Sequence, residues 1–133
     1  VCGDGGFQMT MAELATIAEY GWPIKFAIIN NNYLGMVRQW QELFYRNNIV
    51  ATPMQNPDFV KLAEAFGILG LRASRKEEVE PVIQQAIEHA GPVVCDFQVK
   101  EDENVFPMVP AGASLEETLD LPAFEDERVR VTA

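Results

Sequence analysis

The chain has 133 residues, room for one domain with its own core and too few for two ordinary ones. Apolar residues make up 48% and charged residues 23%, and 20 acids against 10 Lys and Arg leave a formal net charge of −10. That acid surplus excludes the Lys/Arg-driven binding of nucleic acid or anionic membrane, and no apolar run approaches the roughly 18 residues of a membrane span.

Val1-Cys2 runs into Gly3-Asp4-Gly5-Gly6, which reads as the end of a strand turning into a helix. There is no initiator Met, no lead-in and no signal-peptide pattern. The expectation is a piece cut from a longer protein. Met11, Leu14, Ala15 and Ala18 recur at i, i+3, i+4 and i+7, predicting an amphipathic helix over about 7–20. Gly21 and Pro23 stop it. Residues 24–29 are apolar except Lys25 and predict a buried strand, ended by Asn30-Asn31-Asn32. Met36, Trp40, Leu43 and Phe44 predict a helix over about 36–45, and 46–55 reads as loop.

Asn56-Pro57-Asp58 predicts a helix start, with Asn56 as N-cap and Pro57 at the first helical position. Phe59, Leu62, Ala63 and Phe66 then line one face until Gly67. Residues 68–73 predict a strand. Ser74 is the expected cap of the next helix, whose face is Val79, Val82, Ile83, Ala86, Ile87 and Ala90. Gly91-Pro92 ends it, and 93–99 predicts the last strand. Beyond Lys100 the character changes. Residues 1–99 carry 11 acids and 7 bases, net −4, whereas 100–133 carry 9 acids and 3 bases, net −6, with Pro107, Pro110, Gly112 and Pro122. The expected organisation is a compact body, 1–100, and an acidic tail, 101–133.

Strands alternating with helices at this spacing predict an α/β fold. Its mainly parallel sheet would lie between two helix layers, a three-layer α/β/α architecture truncated at its N-terminal side. Ligands of such folds sit beyond the carboxyl ends of the strands. Cys2 and Cys95 cannot form a disulfide framework and read as buried free thiols of a reducing compartment, not as a metal pair. His89, the only histidine, reads as a solvated or helix-end residue. Glu77, Glu78 and Glu80 read as a solvated helix start. Glu101-Asp102-Glu103 and Glu125-Asp126-Glu127 read as exposed tail.

The chemistry is concentrated in residues 3–32. Glycines at a strand-to-helix turn let a ligand approach the backbone, and the free N–H groups behind them suit a phosphate. Asp4 would repel bare phosphate, but Mg²⁺ between them takes oxygens from both. A helix over 7–20 is about 21 Å long and a strand over 24–30 about 23 Å. The chain therefore returns Asn30-Asn31 to the level of Asp4. The Asp4 carboxylate and the Asn31 amide oxygen are both hard ligands, and a backbone carbonyl could add a third. Taken singly, each motif is also ordinary turn chemistry.

Gly3-Asp4-Gly5, followed some 27 positions on by Asn30-Asn31, resembles the thiamine-diphosphate motif of thiamine-dependent enzymes. The stretches Phe7-Gln8-Met9-Thr10-Met11-Ala12-Glu13-Leu14, Gly21-Trp22-Pro23-Ile24-Lys25, Asn31-Asn32-Tyr33-Leu34-Gly35-Met36-Val37-Arg38-Gln39-Trp40-Gln41 and Asn56-Pro57-Asp58-Phe59-Val60-Lys61-Leu62-Ala63-Glu64-Ala65 are similar to the acetohydroxyacid (acetolactate) synthase large, catalytic subunit. So is Pro107-Met108-Val109-Pro110-Ala111-Gly112-Ala113-Ser114, and the resemblance runs to about Pro122.

The resemblance implies the thiamine-diphosphate-binding fold. It implies Mg²⁺ held by Asp4, Asn31 and the Tyr33 carbonyl. Gly3, Asp4, Gly5, Gly6, Asn31, Tyr33, Leu34, Gly35 and Met36 would bind the cofactor, Gly5 and Gly6 through backbone N–H groups. Met36, Val37 and Trp40 would line the substrate pocket, Trp40 favouring 2-ketobutyrate over pyruvate. Arg38 could meet a substrate carboxylate or be an exposed loop cation. Residues 34–49 would order over the cofactor, and the tail would close the site. The implied reaction decarboxylates pyruvate and condenses it with a second 2-keto acid, pyruvate or 2-ketobutyrate, in branched-chain amino acid biosynthesis.

No residue here matches the family's activating glutamate, expected in another domain, so no catalytic residue is assigned in this segment. FAD would belong to another domain of the same flavoprotein. The piece alone is expected to be inactive. The implied partners are a homodimer or homotetramer of the catalytic subunit and a regulatory small subunit, with neither nucleic acid nor membrane. The implied location is cytoplasmic, or plastid in a plant. Two alternatives stay open: another thiamine-dependent carboligase acting on glyoxylate, and a non-catalytic α/β phosphate-binding module.

Overall fold

The computed structural model describes residues 1–120. Four strands form one wholly parallel sheet: β1 (Cys2–Gly3), β2 (Lys25–Asn30), β3 (Leu69–Ala73) and β4 (Val93–Gln98), in the order β1-β2-β4-β3. β4 is the centre. It pairs with β2 from Lys25↔Val93 to Asn30↔Gln98 and with β3 from Leu69↔Val93 to Ala73↔Phe97. β1 adds only Cys2↔Ile28 and Gly3↔Ile29. A strand flanked on both sides and covered on both faces is expected to be mostly apolar, and Asp96 is the charged exception on β4. Val93, Val94, Cys95 and Phe97 are accordingly all buried.

Alternation along the strands splits the core in two. On one face Ile28 and Val94 meet Phe7, Leu14, Ile17, Phe59 and Ala63, from α1 (Asp4–Thr10), α2 (Leu14–Tyr20) and α4 (Phe59–Ala65). On the other, Ala73, Val93, Cys95 and Phe97 meet Val82 and Ala86 of α5 (Lys76–Glu88). The result is the α/β/α layering expected from the alternating periods. Phe59, fully buried, meets the Phe7 ring edge-on at 5.4 Å between centroids. Its burial is worth about 1.5–3 kcal/mol. A Cβ on Gly70 would lie 2.7 Å from the Val60 carbonyl, so the glycine is what lets α4 lie close against β3.

Several boundaries move. The first helix starts at Asp4, three residues before its apolar periodicity, and a 3₁₀ turn, Met11–Glu13, separates α1 from α2. Gly21, at φ 62°, ends α2 in the left-handed conformation that glycine adopts freely. The N-cap of α4 is Asp58, whose carboxylate accepts from the Val60 and Lys61 N–H groups, and not Asn56. The N-cap of α5 is Arg75, and Glu78 takes the N–H groups of Ser74 and Arg75. Of the six-residue apolar face expected on α5, only Val82 and Ala86 are buried. Val79, Ile83 and Ile87 are exposed, because the helix meets the sheet along a single seam.

The chain divides after Glu103. In the second unit, Met108 and Leu119 form an antiparallel bridge, and Ser114 and Glu117 cap a 3₁₀ turn at Leu115–Glu117. Ser114 donates to the Glu117 carboxylate from both N–H and hydroxyl, which lowers its pKa. Glu101, Asp102 and Glu103 are exposed, as expected. Glu125-Asp126-Glu127 and Pro122 lie outside the described residues.

Candidate functional site

The carboxyl ends of β1 and β2 lie side by side, and the loops leaving them build a cleft of about 310 Å³. Its lining is Gly3, Asp4, Gly5, Gly6, Ile29, Asn31, Tyr33, Leu34 and Gly35. Eight of these nine are the residues singled out in the sequence as cofactor-binding; Ile29 is the addition. The ninth singled-out residue, Met36, lines a neighbouring groove.

The strand period decides which asparagine faces the cleft. Ile28 and Asn30 are buried on the core side of β2, while Ile29 and Asn31 line the cleft. Asn32 then turns the chain in the left-handed region, φ 57°, which asparagine tolerates. That turn aims its N–H at the Asp4 carboxylate, 2.8 Å away. Asn31 Oδ1 accepts the Tyr33 N–H at 3.1 Å, which orients its amide. Tyr33 bridges to Pro53, and Leu34 donates its N–H to the Thr52 carbonyl at 3.0 Å.

Asp4 is 2% exposed. Its Oδ1 accepts the Gly5 N–H at 3.0 Å, and its Oδ2 accepts the Asn32 N–H and the Asn56 amide at 2.6 Å. In this structure the Gly5 N–H thus donates to Asp4. Gly6 has open space where a Cβ would stand. A second buried carboxylate lies nearby on β4. Asp96, 1% exposed, accepts the Arg72 guanidinium at 3.0 Å and the Asn30 amide at 2.9 Å. The two acids differ in one respect. Asp96 has a cation; no ion pair involves Asp4 among the described residues.

A buried carboxylate without a counter-charge is costly. Asp4, Asn31 and Tyr33 all line this cleft, and a carboxylate, a side-chain amide and a backbone carbonyl are all hard oxygen donors. They fit a hard divalent cation such as Mg²⁺. Among the described residues no group of three His, Cys, Asp or Glu gathers to hold a metal, at this cleft or away from it.

The second concavity is an apolar groove of about 500 Å³ lined by Met36, Val37, Trp40, Gln41, Tyr45, Asn48 and Val50. It lies along α3 (Gly35–Phe44), whose only buried residue is Gln39. Trp40 stacks edge-on against Phe44 and remains 36% exposed. Gln41 holds the far wall, accepting from Thr52 Oγ1 at 2.8 Å and donating to the Val50 carbonyl at 2.8 Å. All three residues expected to line a substrate pocket, Met36, Val37 and Trp40, line this groove. Arg38 is not an exposed loop cation. It sits on α3 with a 12% exposed side chain, pairs with Glu42 at 3.0 Å and lies over the Tyr33 ring.

Asn56, which the sequence marks only as a helix start, joins the polar cluster at this cleft. Its Nδ2 reaches Asp4, Asn30 and Asn32, and its Oδ1 accepts from Gln8. Cys2 and Cys95 are free, on strands separated by β2. Cys95 is buried, Cys2 only half-buried, and burial pushes both thiols up. His89 is exposed at the end of α5, where its carbonyl accepts from Lys25. No helix among the described residues is long and apolar enough to cross a membrane.

Residues 1–97 match the family described as thiamine pyrophosphate enzyme, C-terminal TPP binding domain. The chain is 53% identical to the acetolactate synthase large subunit of Corynebacterium glutamicum, over 84% of this chain and 19% of that protein. It is 53% identical to the acetolactate synthase of Mycobacterium leprae, over 94% of this chain and 22% of the relative. It is 48% identical to the acetolactate synthase large subunit of Pyropia yezoensis, over 86% and 20%. The chain thus spans about a fifth of the length of these curated relatives. Among solved structures, the thiamine diphosphate-dependent 4-hydroxybenzoylformate decarboxylase of Rhodococcus jostii RHA1 matches with a TM-score of 0.70 and 24% identity, over 77% of this chain and 19% of that one. At that identity the likeness speaks for the fold.

Proposed function

The chain belongs to the thiamine pyrophosphate enzymes through their C-terminal TPP binding domain, and from that premise we propose that it is the diphosphate- and metal-holding part of an acetolactate synthase. The observation that carries the metal reading is the buried Asp4 carboxylate, held by N–H donors and without an ion pair among the described residues, on a cleft edged by Asn31 and Tyr33. The body, 1–100, would supply the cofactor cleft. The substrates proposed are pyruvate and a second 2-keto acid. Identity near 50% to proteins of that name supports the choice.

Each residue then has a task. Asp4, Asn31 and the Tyr33 carbonyl would hold Mg²⁺, and the cation would offset the charge of Asp4 against a diphosphate. Gly3 and Gly6 leave room for that diphosphate beside the backbone. The first N–H groups of a helix lack intrahelical partners, so α1 has donors beyond Gly5 to offer it. Leu34 and Gly35 would close the cleft side. Met36, Val37 and Trp40 would form the apolar wall against which the second keto acid is selected. Bound thiamine diphosphate would supply the electron sink for decarboxylation and carbon–carbon bond formation. FAD would be held by a segment other than this one, in a soluble cytoplasmic or plastid homo-oligomer with a regulatory subunit.

The test is a product screen of the full-length protein with pyruvate, 2-ketobutyrate and glyoxylate. Acetolactate and 2-aceto-2-hydroxybutyrate are expected. Turnover of glyoxylate alone would move the assignment to a different carboligase. Thiamine diphosphate with Mg²⁺ giving no binding heat, while a plain nucleotide did, would end the enzyme reading.

A further inference from the structure

We propose that Asn56 is a positioning residue that fixes which acceptor position of the Asp4 carboxylate faces the divalent cation. The inference rests on the reading of Asp4 as a metal ligand. Asn56 lies on the loop before α4, 52 positions from Asp4. Its Nδ2 lies within hydrogen-bond reach of Asp4 Oδ2 at 2.6 Å, Asn30 Oδ1 at 2.8 Å and Asn32 Oδ1 at 3.1 Å, and its two hydrogens serve the three oxygens, Asp4 Oδ2 at the shortest distance. Its Oδ1 accepts from Gln8 Nε2 at 2.5 Å. The amide therefore has one orientation. Turned over, it would set an oxygen against the carboxylate and an NH₂ against a donor.

The acceptor arithmetic gives the consequence. A carboxylate has about four lone-pair positions. Oδ2 of Asp4 takes two donors, the Asn32 N–H and the Asn56 amide, and Oδ1 takes one, the Gly5 N–H. One position remains, on Oδ1. Asn56 fills the second position of Oδ2 and so leaves the cation a single defined oxygen. Its own place is fixed from both ends. Gln8 comes from α1, one turn after Asp4, and Asn30 is tied to Asp96, which Arg72 neutralises. Arg72 also binds Asp58, the N-cap of α4, so the helix that follows Asn56 is anchored to the same sheet edge. Among the described residues the charge of Asp96 is balanced by Arg72 and that of Asp4 has no ion pair. The network thus stiffens the site and leaves the metal its task.

Outer-shell partners of metal ligands are worth roughly 10–100-fold in metal affinity. The experiment is a Mg²⁺ titration of thiamine diphosphate binding in the full-length protein, followed by calorimetry, with thermal unfolding alongside. Four variants are compared: Asn56→Ala, Gln8→Ala, Asp4→Ala and Leu62→Ala. Leu62→Ala thins the packing of α4 without touching the polar cluster. It is expected to lower Tm and leave the Mg²⁺ half-saturation point in place. Asn56→Ala is expected to raise that point roughly 10–100-fold, and Gln8→Ala to raise it less. If Asn56→Ala does not fold, Gln8→Ala decides. Half-saturation unmoved in both, with binding abolished in Asp4→Ala, overturns the positioning role and leaves the cleft reading standing. Equal movement in Leu62→Ala also overturns it, since helix stability alone would then explain the effect. Mg²⁺-independent binding in the wild type overturns both.

Discussion

The backbone N–H of Asn32 donates to the Asp4 carboxylate at 2.8 Å. This bond joins the turn after β2 to the first residue of α1, across 28 positions of sequence. It exists because Gly3 pairs with Ile29 in register, so the two strand ends stop at one level. The bond uses one face of the carboxylate and brings Asn31 and Tyr33 to the cleft beside it.

Gly35 tests Asn31. A Cβ on Gly35 would stand 2.9 Å from the Asn31 amide nitrogen, and the amide would have to turn away. Alanine suits the first turn of a helix at least as well as glycine. Gly35→Ala is therefore expected to keep Tm near wild type while raising the Mg²⁺ concentration needed for thiamine diphosphate binding roughly 10-fold, as displaced metal-site groups do. Calorimetric titration checks it. Unchanged Mg²⁺ dependence would remove Asn31 from the ligand set.

Trp40 tests the groove. Trp40→Leu in the full-length enzyme removes the largest flat wall of an apolar groove of about 500 Å³. The account expects the preference for 2-ketobutyrate over pyruvate to fall roughly 10-fold or more, the scale on which a methylene is discriminated. Pyruvate self-condensation should be largely kept. Competition between the two keto acids, with both products quantified, measures this. An unchanged preference would place the selecting wall elsewhere.

Much of this was readable from periodicity, and the failures are physical. Gly3, Asp4, Gly5, Gly6 and Asn31 are legible because glycines at a strand-to-helix turn and asparagines at a strand end are local signals, whereas Tyr33, Leu34 and Gly35 enter only through the family resemblance. Asn56 was hidden by an equally local one. Asn followed by Pro reads as a cap, yet Asp58 caps α4 because only its carboxylate has both the Val60 and Lys61 N–H groups in reach. That freed Asn56 for Asp4, a tertiary contact no short window contains. The helix start at Asp4 was hidden because Asp4-Gly5-Gly6 carries no apolar period. The face of α5 was overestimated because apolar spacing reports what could be buried and not how wide the neighbouring sheet is.

Asp58 gives a pH prediction. Arg72 holds its carboxyl below its ordinary value of 3.8, helped by the Lys61 and Val60 N–H groups. A carboxyl with a depressed folded pKa stabilises above its unfolded pKa and loses that contribution as pH falls through the lower folded value. Asp58→Ala should cost about 1 kcal/mol near pH 7, the usual worth of an N-cap. The gap from wild type should close below about pH 4. Thermal unfolding of both proteins across pH checks the sign. A gap that widened in acid would contradict it.

The central claim is that Asp4 holds a divalent cation against a diphosphate. The direct measurement is calorimetric binding of thiamine diphosphate to the full-length protein, with and without Mg²⁺, for wild type and Asp4→Ala. The account predicts Mg²⁺-dependent binding in the wild type and its loss in the variant, by more than the roughly 100-fold that outer-shell changes reach. Wild-type affinity retained by a folded Asp4→Ala protein would contradict it.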